Sequence, residues 1–214
     1  GVAGLAEKYF LPVFITSHTS QNCSVPIKKE LAHTLTAHEP VNIGGLSITA
    51  FPKCHDAVDP HSFIITCNDI TIGVFTDIGI PCAHVIKYFS QCHAAFLEAN
   101  YDEVLLEKGR YPRFLKNRIS GGMGHLSNRQ ALEIFTTYRS PFMTHLLLAH
   151  LSQDNNDPVM VQRLFNDHAE GIEVVVASRH EQTAIYTIQK PAQGRQFSKP
   201  LPIRSLRPMQ LSLF

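Results

Sequence analysis

Residues 62–79 read S-F-I-I-T-C-N-D-I-T-I-G-V-F-T-D-I-G. Two apolar, β-branched runs, Ser62 to Cys67 and Ile70 to Thr76, flank the pair Asn68-Asp69. Asn and Asp tolerate left-handed backbone, so two strands joined by a tight turn are expected. The second run ends in a carboxylate, Asp77, followed by a glycine two residues on. Upstream, Val41 to Phe51 alternates around Gly44-Gly45 and reads as another hairpin. Further out, Pro12 to Thr16 reads as a short strand and Leu5 to Tyr9 as the end of a helix. Val25 to Leu35 reads as a helix with Pro26 in its first turn.

Downstream, the pattern changes to alternating helices and strands. Ala83 to Phe89 predicts a helix, Ala94 to Glu98 a strand and His145 to His150 a buried strand. Asn128 to Tyr138 predicts a helix with Asn128 as its cap, and Pro158 to Asn166 another. Glu173 to Ala177 and Ala184 to Ile188 are expected to pair as strands. Hairpins followed by interleaved helices and strands point to an α/β protein with mixed sheets rather than a doubly wound parallel sheet.

The chain has 214 residues, 44% apolar and 17% charged, which suits one packed domain and excludes a disordered polyelectrolyte. Uninterrupted apolar runs such as Leu146–Ala149 reach only four residues, against about 20 for a membrane-spanning helix. No signal-peptide pattern is visible. Five cysteines without a C-x-x-C pair argue against a disulfide framework or a zinc knuckle and for a reducing, cytoplasmic compartment.

Charge is uneven. From Lys190 to Phe214 there are five cations and no acid, which leaves a balance of −4 in the rest of the chain. This segment is also proline-rich and reads as an extended cationic appendage. A second basic run, Lys108, Arg110, Arg113, Lys116, Arg118 and Arg129, contains no acid in between. Such a run is either a solvated face or a track for a polyanion.

Four chemistry-bearing groups stand at strand ends or in a glycine-rich loop. His55 lies in F-P-K-C-H-D-A-V-D-P, Asp77 in T-D-I-G, His125 in G-G-M-G-H-L-S-N and His150 in L-L-L-A-H. Carboxyl ends of strands in α/β sheets are where sites are built, and imidazole with carboxylate suits divalent ions.

The segments H-D-A-V-D-P, T-D-I-G, L-E-A-N-Y-D, G-R-Y-P-x-x-L-K-x-R-I, G-H-L-S-N and A-H-L-S-x-x-N-N occur in this order. Together they resemble metallo-β-lactamase-fold hydrolases of the YycJ/WalJ type over roughly residues 1–190. More distantly the chain is similar to tRNA 3′-end-processing endonucleases. The resemblance implies a four-layer αββα sandwich with a dinuclear site for two divalent metal ions, Zn or Mn. It implies a metal-dependent phosphodiester hydrolase, a nuclease of 5′-to-3′ exonuclease type acting on DNA, or RNA, in replication or repair. Carried over, His55 would be a metal ligand, Asp77 the carboxylate bridging two ions and His150 a ligand on the second. His125 would assist the leaving group, with Ser127 and Asn128 beside the phosphate. Glu98, Asn100 and Asp102 match a motif at the site's rim to which no role is assigned. The basic run, with Arg113, Lys116 and Arg118, would then guide the sugar-phosphate backbone.

The family's H-x-H-x-D-H motif is absent from the 214 residues. The opening G-V-A-G-L-A-E-K-Y resembles the stretch directly after that motif, so an N-terminally truncated domain over residues 1–190 is expected, missing part of its ligands. Residues 191–214 form the basic tail. Its end, Gln210-Leu211-Ser212-Leu213-Phe214, resembles the peptide by which bacterial DNA-processing enzymes bind the sliding clamp. Two other functions compete: a phosphodiesterase for small substrates, and a metal-free module that binds DNA or the clamp on the same fold.

Overall fold

The computed structural model describes residues 1–197. Seven helices and nine strands are found among them: α1 (Val2–Tyr9), β1 (Val13–Ile15), α2 (Ser17–Gln21), β2 (Ala32–Thr34), β3 (Pro40–Ile43), β4 (Leu46–Pro52), β5 (His61–Cys67) and β6 (Ile70–Phe75), then α3 (Ala83–Phe89), β7 (Ala94–Glu98), α4 (Glu103–Lys108), α5 (Arg113–Ser120), α6 (Asn128–Tyr138), β8 (His145–Ala149), α7 (Pro158–Asn166) and β9 (Glu173–Val176). The seven strands β3 to β9 form one sheet in chain order, and β1 and β2 form a separate parallel pair.

The hairpins come first. Asn68 and Asp69 both take left-handed backbone, with φ of 47° and 61°, as the turn between β5 and β6 requires. The pairs β3–β4, β4–β5 and β5–β6 are antiparallel, while β6–β7, β7–β8 and β8–β9 are parallel. The sheet is therefore mixed, as the change of pattern along the sequence predicts. Strands β4, β6, β7 and β8 consequently run the same way and end at one edge. The register aligns Phe75, Leu97 and Leu148 across β6, β7 and β8, so the residues just beyond them emerge side by side.

One face of the sheet carries the helices. Phe75, Leu97, Leu146 and Leu148 are fully buried there against Phe89, Ile134, Phe135 and Phe165 of α3, α6 and α7. Each such side chain contributes roughly 1.5–3 kcal/mol on removal from water. The opposite face carries Ile65, Ile72 and Val74, all half-buried, and Phe96, 37% exposed. The expected sandwich has two facing sheets. Among the described residues, only the short β1–β2 pair lies outside the seven-stranded sheet.

Three local expectations are corrected. Val25 to Leu35 is not helical: the chain turns at Lys28, whose carbonyl accepts from Leu31 and Ala32, and β2 pairs with β1. That parallel pairing overrides the local helical pattern. Ala184 to Ile188 forms no strand, and β9 pairs with β8 instead. The cap of α6 is Ser127, not Asn128: Ser127 Oγ accepts from Gln130 N, and the Gln130 side chain accepts from Ser127 N in a capping box. Residues 191–197 rest on the domain. Arg195 N donates to Pro141 O, and Phe197 lies under the Arg139 guanidinium at 3.9 Å from its ring centre. Gln210, Leu211, Leu213 and Phe214 lie outside the described residues.

Candidate metal centre

Because β6, β7 and β8 are parallel neighbours, Asp77, Glu98 and His150 emerge at one edge. His55 reaches the same edge after β4. His125 arrives on the loop before α6, held by a bond from its N–H to Ile119 O. Asp77 and His150 both have left-handed backbone, with φ of 53° and 60°. For residues with a Cβ such angles are strained, and here they turn both side chains into the same space.

The distances converge on one atom. Asp77 Oδ1 lies 3.6 Å from His150 Nε2, 3.9 Å from His55 Nε2 and 3.9 Å from His125 Nδ1. Three of the expected site residues, His55, Asp77 and His150, are thus brought together, with His125 beside them.

Each ring is held from behind. His55 Nδ1 faces the Gly124 carbonyl at 2.9 Å. His125 Nδ1 and His150 Nδ1 both face Glu98 Oε1 at 2.7 Å. A carbonyl or carboxylate oxygen only accepts, so Nδ1 donates in all three rings and Nε2 is the unprotonated nitrogen of each neutral imidazole. Glu98 is fully buried, and its Oε2 accepts from Ile78 N at 2.7 Å. Burial alone would raise its carboxyl, but bonds from His125, His150 and Ile78 outweigh that and hold it below the usual range. The bond to Glu98 in turn raises the His150 imidazole above its ordinary value, against the effect of burial.

Asp77, Glu98, His125 and His150 offer ligand atoms within 4.8 Å of one another. Glu98 is the least suited to a metal, since both its oxygens are already engaged. Asp77 and the bare Nε2 atoms of His55 and His150 are the better donors. Ions bound at about 2.0–2.2 Å need ligand atoms a little over 3 Å apart, close to the 3.6 Å from Asp77 Oδ1 to His150 Nε2 and the 3.9 Å to His55 Nε2, so each pair suits a borderline divalent ion, with His55 outside the group of four.

Loop packing holds the set in place. A Cβ on Gly79 would lie 2.1 Å from Gly122 O, so only glycine lets the T-D-I-G turn meet the 121–124 loop. Gly79 N also donates to Cys54 O at 2.7 Å, and Asp56 N to Met123 O at 2.8 Å.

Other expected residues are placed differently. Ser127 is buried, with its hydroxyl engaged by Gln130 N and Glu103 Oε1. Asn128 is 3% exposed and exchanges amide bonds with Asn156. The basic run acquires acids from elsewhere in the chain. Arg113 pairs with Glu107 at 2.8 Å, Arg118 with Asp56 at 2.5 Å and Arg129 with Glu103 at 4.0 Å. Lys116 bonds to Glu107 O. Lys53, which no motif in the sequence marks, donates to Thr76 O at 2.6 Å, and burial lowers its ammonium's pKa.

Exodeoxyribonuclease YycJ of Bacillus anthracis is 28% identical over 159 residues, 73% of this chain and 60% of that protein. Exodeoxyribonuclease WalJ of Streptococcus pneumoniae is 27% identical over 161 residues, with the same coverage. Zn2+-bound PqqB of Methylobacterium extorquens superposes with a TM-score of 0.59 at 13% identity, covering 85% of this chain and 68% of that one. The metallo-β-lactamase-fold protein YhfI of Bacillus subtilis superposes with a TM-score of 0.55 at 15% identity, covering 82% and 66%. The chain has the metallo-β-lactamase fold and is related to YycJ and WalJ. It spans about 60% of the length of those two curated relatives. No family model matches it.

Proposed function

We propose that this chain carries part of the active site of a metal-dependent phosphodiester hydrolase, a DNA exonuclease working in the 5′-to-3′ direction. The observation that carries the reading is Asp77 Oδ1 ringed by three imidazoles, each fixed through Nδ1. The relation to exodeoxyribonucleases supports DNA as the substrate.

Asp77, His55 and His150 would hold divalent ions, zinc or manganese, with further ligands supplied by the complete protein. Bound there, such ions lower the pKa of water and neutralise charge on a phosphate oxygen. His125 is placed differently from the ligands: the nitrogen it turns toward Asp77 is Nδ1, already bonded to Glu98, whereas His55 and His150 turn Nε2 toward it. A proton held on its Nε2 can pass to the leaving oxygen, a contribution of about 10²–10⁴-fold. Glu98 behind Nδ1 stabilises the doubly protonated ring that this transfer needs. The cavity of about 1470 Å³ exceeds the roughly 300–1,000 Å³ usual for small-molecule sites, which favours a polymer over a small phosphodiester. Capture by a sliding clamp through Gln210–Phe214 would place the enzyme on replicating DNA in the cytoplasm.

Calorimetric titration with Zn2+ and Mn2+, beside nucleotide release from 5′- and 3′-labelled duplexes, tests this. Stoichiometric uptake and release from the 5′ end, both lost in Asp77→Ala and His150→Ala, are expected. Metal uptake unchanged in Asp77→Ala would remove the basis of the proposal.

A further inference from the structure

The cavity does not stop at the metal centre. It takes in His125 and His150 and runs between α5 and α7, with residues 176–180 on its wall beside the end of β8. Near the site its wall carries Leu115, Arg118 and Ile119 of α5. It also carries Pro158, Val159 and Arg163 of α7, and Arg179, which donates to the carbonyl of Leu151, the residue after His150.

The charges along it are unequal in availability. Arg118, nearest the centre, is held by Asp56 at 2.5 Å, and Arg113 and Lys116 of the same helix are likewise engaged. Arg163 is exposed and has no ion-pair partner among the described residues. Arg179 is exposed too, spending one N–H on Leu151 O at 2.8 Å and leaving the rest of its fork free. Of the wall carboxylates, Asp154 accepts from the Tyr111 hydroxyl at 2.7 Å, and Asp167 lies at the C-terminal end of α7. The guanidiniums open to a phosphate therefore stand on the α7 side, not on the basic helix that the sequence singles out.

Beside those cations the wall mixes polar side chains, Ser152, Gln153, Asn156 and Gln162, with apolar ones, Leu115, Leu151 and Val159, the last 68% exposed. A channel that combines spaced cations with apolar surface suits a single strand, whose phosphates and base faces alternate.

We infer that this cleft is the track of a single-stranded polynucleotide, running from the metal centre past Arg179 and along α7 to Arg163. The inference rests on the nuclease reading for its substrate class and adds the path and the anchoring residues. Each anchor contacts a phosphate through its guanidinium, and sequence preference is weak because no base edge is read.

Fluorescence anisotropy with labelled oligothymidylates of two to ten nucleotides, in EDTA across a salt series, tests the track apart from any cleavage. Affinity should rise with length and level off after roughly 4–6 nucleotides. The double variant Arg163→Gln/Arg179→Gln should bind at least tenfold more weakly. Its slope of log affinity against log salt should be shallower by about 0.7 for each phosphate no longer neutralised, so by ~1.4 for the pair. The variant Lys29→Gln, a cation far from the cleft in sequence and structure, should bind as the parent does. Unchanged affinity and slope in the double variant, or no binding by the parent chain, overturns the track. Binding with the expected slope but no cleavage by the complete, metal-loaded protein would sink the nuclease reading and leave the track standing.

Discussion

Glu98 is the residue on which the site's geometry turns. One oxygen serves two imidazoles at 2.7 Å, and the other accepts from Ile78 N, so a single buried carboxylate sets two tautomers at once. Replacing it with Gln keeps the shape but gives the rings an amide that can no longer stabilise both Nδ1–H groups as an anion does. The variant Glu98→Gln should bind Zn2+ about 10–100-fold more weakly in calorimetry while remaining folded by circular dichroism. Unaltered affinity would mean that the two rings are oriented by other contacts. In the sequence Glu98 is visible as an acid closing the apolar strand A-A-F-L-E, and the resemblance assigns it a place at the rim with no role, whereas it lies fully buried behind the rings. That both rings lean on it is not legible, because His125 and His150 lie 27 and 52 residues away along the chain.

At the scale of elements, α6 shows how one turn of helix serves the site. Its capping box fixes the direction in which the chain leaves His125, and Asn100 N bonds to Leu126 O at 3.0 Å to tie that loop to the end of β7. The variant Ser127→Ala removes the cap acceptor and a hydroxyl bonded to Glu103. Thermal or urea unfolding should show a loss of about 0.5–2 kcal/mol. A loss near zero would show that the capping box adds nothing to the stability of α6. Helix α6 is legible beforehand from Ala131, Ile134 and Phe135 at helical spacing, all fully buried. The short α2, α4 and α5 are not, since few of their side chains are buried and no long apolar stripe marks them. Helix α5 also shows why a local charge count misleads. No acid lies between its cations, yet Asp56 and Glu107 reach them through the fold.

Across the whole molecule, stability should respond to pH through buried histidine far from the site. His93, at the start of the sheet's parallel half, is 7% exposed, its Nδ1 accepts from Thr71 N, and its Nε2 has no partner among the described residues. Burial lowers its pKa below the ordinary value, with Lys190 adding to the effect. The unfolded chain takes up a proton near pH ~6.5 while the folded one does not, so this group's contribution is present above that pH and lost as pH falls. His150 acts in the opposite sense. Its pKa is raised, so its contribution is present below about pH 6.5 and fades as pH rises. The variant His93→Asn keeps an acceptor for Thr71 and cannot titrate. Its urea stability in metal-free buffer between about pH 7 and 5 should fall less steeply than the parent's. Parallel curves would show that His93 is not a source of the acid sensitivity.

Hairpins, the switch to parallel strands and most helices are legible from spacing alone, because alternation and 3.6-residue periodicity are local properties of the chain. The related YycJ and WalJ proteins are consistent with the order of the motifs, and that order is likewise a property of the linear chain. Everything else depends on contacts between distant segments. The pairing of β2 with β1, the engagement of Arg118 by Asp56, the sharing of Glu98 by two rings and the cleft along α7 all arise where residues far apart in the chain become neighbours. Hydrogen bonds and ion pairs act over a few ångströms of space, whatever the number of peptide bonds between the partners, and so only folding selects them.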